Sequence, residues 1–390
     1  MTKYLIKNGT IVTMNPQREV FVGDLLIQQN VIQTIAPHID EQKHPESIII
    51  DAHNQFVIPG LIQAHTHLCQ AMFRGYADDL TLMDWLTNKI WPMESNHNAD
   101  SIRASAEIAL LEMQLAGTTS ILDMGTVHHT QELLDTVQQS GMRYWGGKCL
   151  MDLKKFSGPL YQETSVALKE NEKLLSDWCN RSELIKYALC PRFAVSCSDE
   201  LLKECVHLQQ EQGIKIHTHA SESKGEIQIV KSRTNMDNIE FLDSLQMLNP
   251  ETVIVHGVHL TDSELHRLVQ TKTPLVHCPS ANLKLASGFA PIHHYQQEGL
   301  IIGIGSDGAP CNNSMDPFIE MRLAALIQKP LFGPEALPAQ KALEFATIGG
   351  AQLLGNEHHI GSLEEGKFAD ITLVDRSHPS VETVENPYSA

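Results

Sequence analysis

His65 and His67 stand two residues apart at the end of the run Val57-Ile58-Pro59-Gly60-Leu61-Ile62-Gln63-Ala64. From Phe56 to Ile62 this run is apolar and reads as a buried strand nearing its end. Residues two apart on a strand face the same side, so the two imidazoles project together. Two neutral imidazoles are half of a site for zinc or iron. Taken alone, such a pair is more often two structural histidines that follow a strand. Other ligands must lift it above that reading.

The same pattern recurs along the chain, an apolar strand ending in an ionisable group. The strand ends collect His65, His67, Asp123, Arg192, His217, His219, Glu222, His256, His277 and Asp307. A scaffold has no need of so many ionisable groups at strand ends. Three histidines with Asp307 would make a nitrogen and oxygen site with room for water, which is catalytic rather than structural. In Ile216-His217-Thr218-His219-Ala220-Ser221-Glu222 both histidines share one face, and His219, nearer the end, is the expected ligand. His217 is then a packed or supporting imidazole. Glu222, three residues further, can reach water and substrate without coordinating. Asp307, between Ser306 and Gly308, could cap a turn, but its flanking glycines favour a ligand. His256 ends Val253-Ile254-Val255 and is either a core histidine or a proton carrier. Lys148 is a candidate pocket-lining charge, with a salt-bridged lysine as the alternative.

The elements that would position these groups alternate. Eight strand-like stretches, at 56–67, 118–125, 143–152, 185–192, 213–222, 251–260, 273–280 and 300–308, are mostly separated by helical patterns. One such stripe is Leu201, Leu202, Cys205 and Leu208; another is Ile102, Ala106, Ala109, Leu110 and Met113. Eight alternating units predict an α/β fold, a closed (β/α)8 TIM barrel whose strand ends converge on one site. Both ends of the chain are strand-rich and together predict a small β-sandwich. The expected divisions are 1–56 and 357–390 for the sandwich and 57–356 for the barrel. Asn8-Gly9 predicts a hairpin turn between Tyr4-Leu5-Ile6 and Thr10 to Met14. Arg74 to Asn98 is a long insertion after the first barrel strand, placed to shape a substrate pocket.

The bulk properties exclude several classes. A net charge of −18 over 390 residues argues against a nucleic-acid partner. The eight cysteines are dispersed without any Cys-x-x-Cys, which fits a reducing compartment. The first residues lack the apolar core of a signal peptide. No apolar run approaches the roughly 18 residues of a membrane span. A cytoplasmic enzyme acting on a small molecule, compatible with a homo-oligomer, is expected.

Pro59-Gly60-Leu61, His65-x-His67, His219-x-x-Glu222, His256 and Ser306-Asp307-Gly308 together resemble the amidohydrolase superfamily. The stretches 73–80, Trp91-Pro92-Met93-Glu94, 278–285 and 307–313 resemble one branch of it. That branch holds methylthioadenosine/S-adenosylhomocysteine deaminases, 5′-deoxyadenosine deaminases and triazine chlorohydrolases. The resemblance implies one divalent metal ion, zinc with iron as the alternative, held by His65, His67, His219 and Asp307. It implies that Glu222, His256 and Asp307 handle protons, and that Glu94 and Trp85 meet the ribose of a purine nucleoside. Binuclear members carry a lysine where this chain has Leu189-Cys190-Pro191-Arg192, which favours a single metal. Arg192 departs from the methylthioadenosine deaminase pattern and keeps guanine deamination as the alternative, beside triazine dechlorination. A non-catalytic scaffold would not retain every ligand. Relatives continue past the Asn386-Pro387-Tyr388 region, so a truncated C-terminus is expected.

Overall fold

The computed structural model describes all residues except Met1, Asn180 and Ala390. Eight parallel strands follow one another in sheet order: Leu61–Thr66, Thr118–Thr126, Arg143–Leu150, Ile185–Pro191, Lys215–Ala220, Thr252–His256, Leu275–His277 and Ile302–Ile304. A parallel bridge between Thr66 and Asp307 brings the eighth unit back to the first. The result is the (β/α)8 barrel. The strands are buried along nearly their whole length, which is why they read as continuous apolar runs rather than alternating ones. Helices separate most of them. Asp199–Gln212 begins where Ser198 Oγ accepts the Leu201 amide at 3.1 Å, and Ala99–Leu115 begins at a reciprocal Asn98–Ser101 cap.

The second sheet is built from both ends of the chain. Strands Lys3–Val12, Val20–Gln28, Val31–Ala36, Ser47–Asp51 and Gln55–Pro59 join Ile371–Asp375, which runs antiparallel to Gln55–Pro59. The first strand serves two partners along one edge, Ser47–Asp51 beside its first half and Gln55–Pro59 beside its second. Residues of this sheet and its connections gather into a small core of Ile6, Ile11, Leu25, Ile27, Ile32, Ala52, Val57 and Leu363.

Two local expectations are corrected here. Asn8-Gly9 makes no hairpin: the strand runs through it from Lys3 to Val12, with an irregularity in register between Ile6 and Gly9. Asn8 takes φ +64°, its amide donates to Asp24 Oδ1 at 2.9 Å, and its side chain donates to Asp51 Oδ1 at 3.0 Å. The dipeptide therefore bends one strand rather than reversing the chain. The run from Phe56 is also two strands, not one. Gln55–Pro59 belongs to the terminal sheet and Leu61–Thr66 to the barrel, and Gly60 is the joint. A Cβ there would lie 2.1 Å from Thr119 Oγ1, so only glycine lets the chain pass this close. Burial on both sides of Gly60 made the two strands look like one.

Candidate metal centre and acid–base site

His65 and His67 leave the first barrel strand on one side and are both buried. Their Nε2 atoms lie 3.3 and 3.4 Å from Asp307 Oδ1, and His67 Nε2 lies 3.3 Å from His219 Nε2. Three imidazoles and a carboxylate thus aim ring nitrogens and an oxygen at one small volume. The orientation is set from behind. His219 Nδ1–H donates to the Arg192 carbonyl at 2.6 Å, which leaves its Nε2 bare. His217 sits behind His65, its Nε2 2.9 Å from His65 Nδ1. Asp123 accepts from Thr66 Oγ1 at 3.0 Å and from the Leu68 amide at 2.8 Å, and so braces the backbone on either side of His67.

Electrostatics favour a cation in this place. Burial, reinforced by neighbouring imidazoles, holds His67 and His219 well below the ordinary histidine value. Both are therefore neutral at neutral pH, the form in which an imidazole can bind a metal. Burial pushes Asp307 up, but His65 beside it outweighs that effect and holds the carboxyl below the usual carboxylate range. His65 Nε2 is buried without a hydrogen-bond partner. Lone pairs that converge with too few protons to share match the donor set of a divalent ion. Among the described residues, His65, His67 and Asp307 offer atoms all within 4.8 Å of one another, as do His65, His219 and His256.

Next to these converging donor atoms are two groups that can move protons. Glu222 Oε2 lies 3.4 Å from His256 Nε2, and Asp307 Oδ2 lies 3.8 Å from the same nitrogen. His256 Nδ1–H donates to Asn282 Oδ1 at 2.9 Å, so Nε2 is the free acceptor. Burial, aided by the Asp307 charge, pushes the Glu222 carboxyl up to about 8. It keeps its proton at neutral pH. Glu226, also buried, accepts the Glu222 amide at 2.8 Å and the Ser221 amide at 3.2 Å, which fixes the backbone of the acid. The pattern Ser223-x-x-Glu226 is a capping box legible in the sequence, although its grip on Glu222 is not.

The expected substrate contacts divide. Trp85 and Arg192 line the small cavity over the clustered histidines and Asp307, with Leu82, Leu86, Phe193 and Leu285. Glu94, from the insertion, is buried and forms a two-point ion pair with Arg192, at 2.8 and 3.2 Å, while Gln70 Nε2 donates to Glu94 Oε1 at 2.7 Å. The guanidinium of Arg192 is engaged by this pair, and among the described residues no lysine lines the cavity. Lys148 is not brought to the cavity. Its Nζ donates to the Val127 carbonyl and pairs with Glu170 at 3.0 Å.

A model of the amidohydrolase family matches residues 56–389. The chain belongs to the amidohydrolase family. A 5-methylthioadenosine/S-adenosylhomocysteine deaminase of Bacillus cereus (strain AH820) is 35% identical over 376 residues, 95% of this chain and 85% of the relative. Among solved structures, an adenosine deaminase from Xanthomonas campestris with bound zinc superposes with a TM-score of 0.91 at 28% identity, covering 100% of this amidohydrolase and 88% of that chain. A guanine deaminase from C. acetobutylicum, with guanine in its active site, shares the fold at a TM-score of 0.88 and 24% identity, over 95% and 90% of the two chains. Among the described residues, no helix is long and apolar enough to cross a membrane.

For this amidohydrolase, elemental analysis of metal-reconstituted protein is expected to give about one equivalent per chain. Two tightly held ions would overturn the assignment of His65, His67, His219 and Asp307 to a single centre.

Proposed function

We propose that the protein is a metal-dependent hydrolase that deaminates an adenosine-type nucleoside of the 5′-deoxyadenosine, methylthioadenosine or S-adenosylhomocysteine class. The observation that carries this reading is the pairing of a protonated buried acid, Glu222, with a bare acceptor nitrogen, His256 Nε2, 3.4 Å away and beside the donor set. Hydrolytic deamination needs both. Identity of 35% over 95% of the chain to a methylthioadenosine/S-adenosylhomocysteine deaminase supports the substrate class.

A divalent ion, zinc by analogy with the Xanthomonas structure, fits His65, His67, His219 and Asp307, and would supply a water nucleophile by lowering its pKa from about 15.7 to roughly 7. The proton transfers belong to the protein. Glu222 gives its proton to the ring nitrogen adjacent to the carbon that bears the amine. His256 Nε2 takes one proton from the attacking water, with Asp307 close enough to orient it, and passes that proton to the amine. The remaining hydroxyl proton returns to Glu222 as the C–N bond breaks. The products are ammonia and the oxo-purine nucleoside, and the acid is restored.

The cavity over the ligands is about 20 Å³, room for a water rather than a purine. A nucleoside therefore needs more room than the lining residues leave in this structure. Glu94 keeps acceptor capacity beyond its bonds to Arg192 and Gln70, since a carboxylate has about four lone-pair sites. That capacity suits a ribose hydroxyl. Guanine deamination is the second reading, because the Arg192 guanidinium could meet a carbonyl oxygen. The comparison that tests both is kcat/KM for 5′-deoxyadenosine, adenosine and guanine on the wild type and on the double variant Arg192→Met/Glu94→Leu, which leaves neither charge of the buried pair stranded. A 5′-modified adenosine is expected to be preferred, and the variant to lose that preference by about 10-fold or more, as for an unpaired buried group. Guanine as the best substrate would sink the nucleoside reading.

A further inference from the structure

The two oxygens of Glu222 face different surroundings. Oε2 points to the centre, 3.4 Å from His256 Nε2, while Oε1 is 3.3 Å from Ser287 Oγ, which donates to it. An oxygen that accepts a hydroxyl proton is the poorer place for the carboxyl's own proton. Ser287 is buried, and its backbone is held on both sides. Its amide donates to the Asn282 carbonyl at 2.8 Å, and its carbonyl accepts from His259 Nε2 at 2.7 Å. The same Asn282 accepts from His256 Nδ1 through its side chain. One segment after the seventh strand, the helix Pro279–Lys284 and the turn that follows it, thus touches both members of the acid–base pair.

We propose that Ser287 is a positioning residue for the deamination, holding the Glu222 proton on the oxygen that faces the substrate. The assignment rests on the reading of Glu222 as the proton donor. With Oε1 engaged, the transferable proton lies on Oε2, and no rotation of the carboxyl is needed before transfer. After transfer, the same hydroxyl supports the carboxylate charge until the proton returns. No atom of Ser287 enters a bond that forms or breaks. The charged and titratable groups around the carboxyl are His256, Asp307, Arg192, Glu226, Cys278 and Cys311, with His67 and His219 lining the same cavity. Of its neighbours, only Ser287 donates a hydrogen bond to Oε1 among the described residues.

The test is steady-state kinetics of metal-loaded Ser287→Ala and Ser287→Thr on 5′-deoxyadenosine, followed across pH. Ser287→Ala is expected to lower kcat about 10-fold, with KM and metal content little changed. Its alkaline limb should move to higher pH, because a bond that stabilises the ionised carboxyl has been removed. Ser287→Thr, which keeps the hydroxyl, should restore both. Ser287→Gly, a second removal of the hydroxyl, must match Ser287→Ala. A fall in kcat with an unmoved limb, or no change in either, overturns the assignment while leaving the deaminase reading intact. If the wild type releases no ammonia from any purine nucleoside, the deaminase reading fails and this role fails with it.

Discussion

Glu222→Gln is expected to keep its metal and its fold while losing turnover by roughly 10² to 10⁴, the usual scale for general acid–base catalysis. Glutamine preserves the shape of the side chain and can still accept from Ser287. It has no proton to give to a ring nitrogen. The wild type should show the matching pH dependence. Burial pushes the Glu222 carboxyl up to about 8, so the acid is protonated below that value and ionised above it. Activity carried by the protonated form is then present below about pH 8 and lost as pH rises through it. Metal analysis, circular dichroism and kcat on one preparation of the variant decide the matter. If the metal leaves with the mutation, Glu222 is a ligand and not the acid.

Much of this arrangement is legible in the sequence because barrel strands leave a simple trace. Strands buried on both faces read as apolar runs, and the residue that ends each run points toward the common site. His65, His67, His219, His256 and Asp307 come together from such ends, and Glu222 follows one by three residues. The same trace fails where burial is uniform. Nothing in Phe56 to Ile62 marks the change of sheet except Gly60, whose requirement lies in a contact with Thr119. Asn8-Gly9 carries hairpin chemistry, yet Asp24 and Asp51 recruit Asn8 to a bend within one strand. Pairings across long separations leave no local signal at all. Ser287 meets Glu222 across 65 positions, and Arg192 meets Glu94 across 98. Lys148 looked like a pocket charge because it sits on a barrel strand, but Val127 and Glu170 claim it.

The Arg192–Glu94 pair leads to the second large effect. Both side chains are nine-tenths buried or more, so each charge depends on the other for compensation. Burial opposes the guanidinium charge, but Glu94 beside it outweighs burial and holds Arg192 above its ordinary value. Removing one partner of a buried pair strands the other, which typically costs about 3–5 kcal/mol. Arg192→Met is therefore expected to destabilise the metal-loaded protein by about that amount in urea unfolding. The double variant Arg192→Met/Glu94→Leu should recover most of the loss, because two apolar groups of similar volume leave no bare charge. Recovery should fall short by about 1–3 kcal/mol, since the Gln70 amide, now bonded to Glu94 at 2.7 Å, would lose its acceptor. Additive losses in the double variant would show that the two residues act independently and that the pair is not a unit. The same variants sharpen the substrate question. A single substitution at Arg192 leaves Glu94 stranded, so a loss of guanine turnover in that variant alone says nothing about guanine. The double variant removes the stranded charge. Guanine turnover that survives there, with nucleoside turnover abolished, assigns the pair to the ribose.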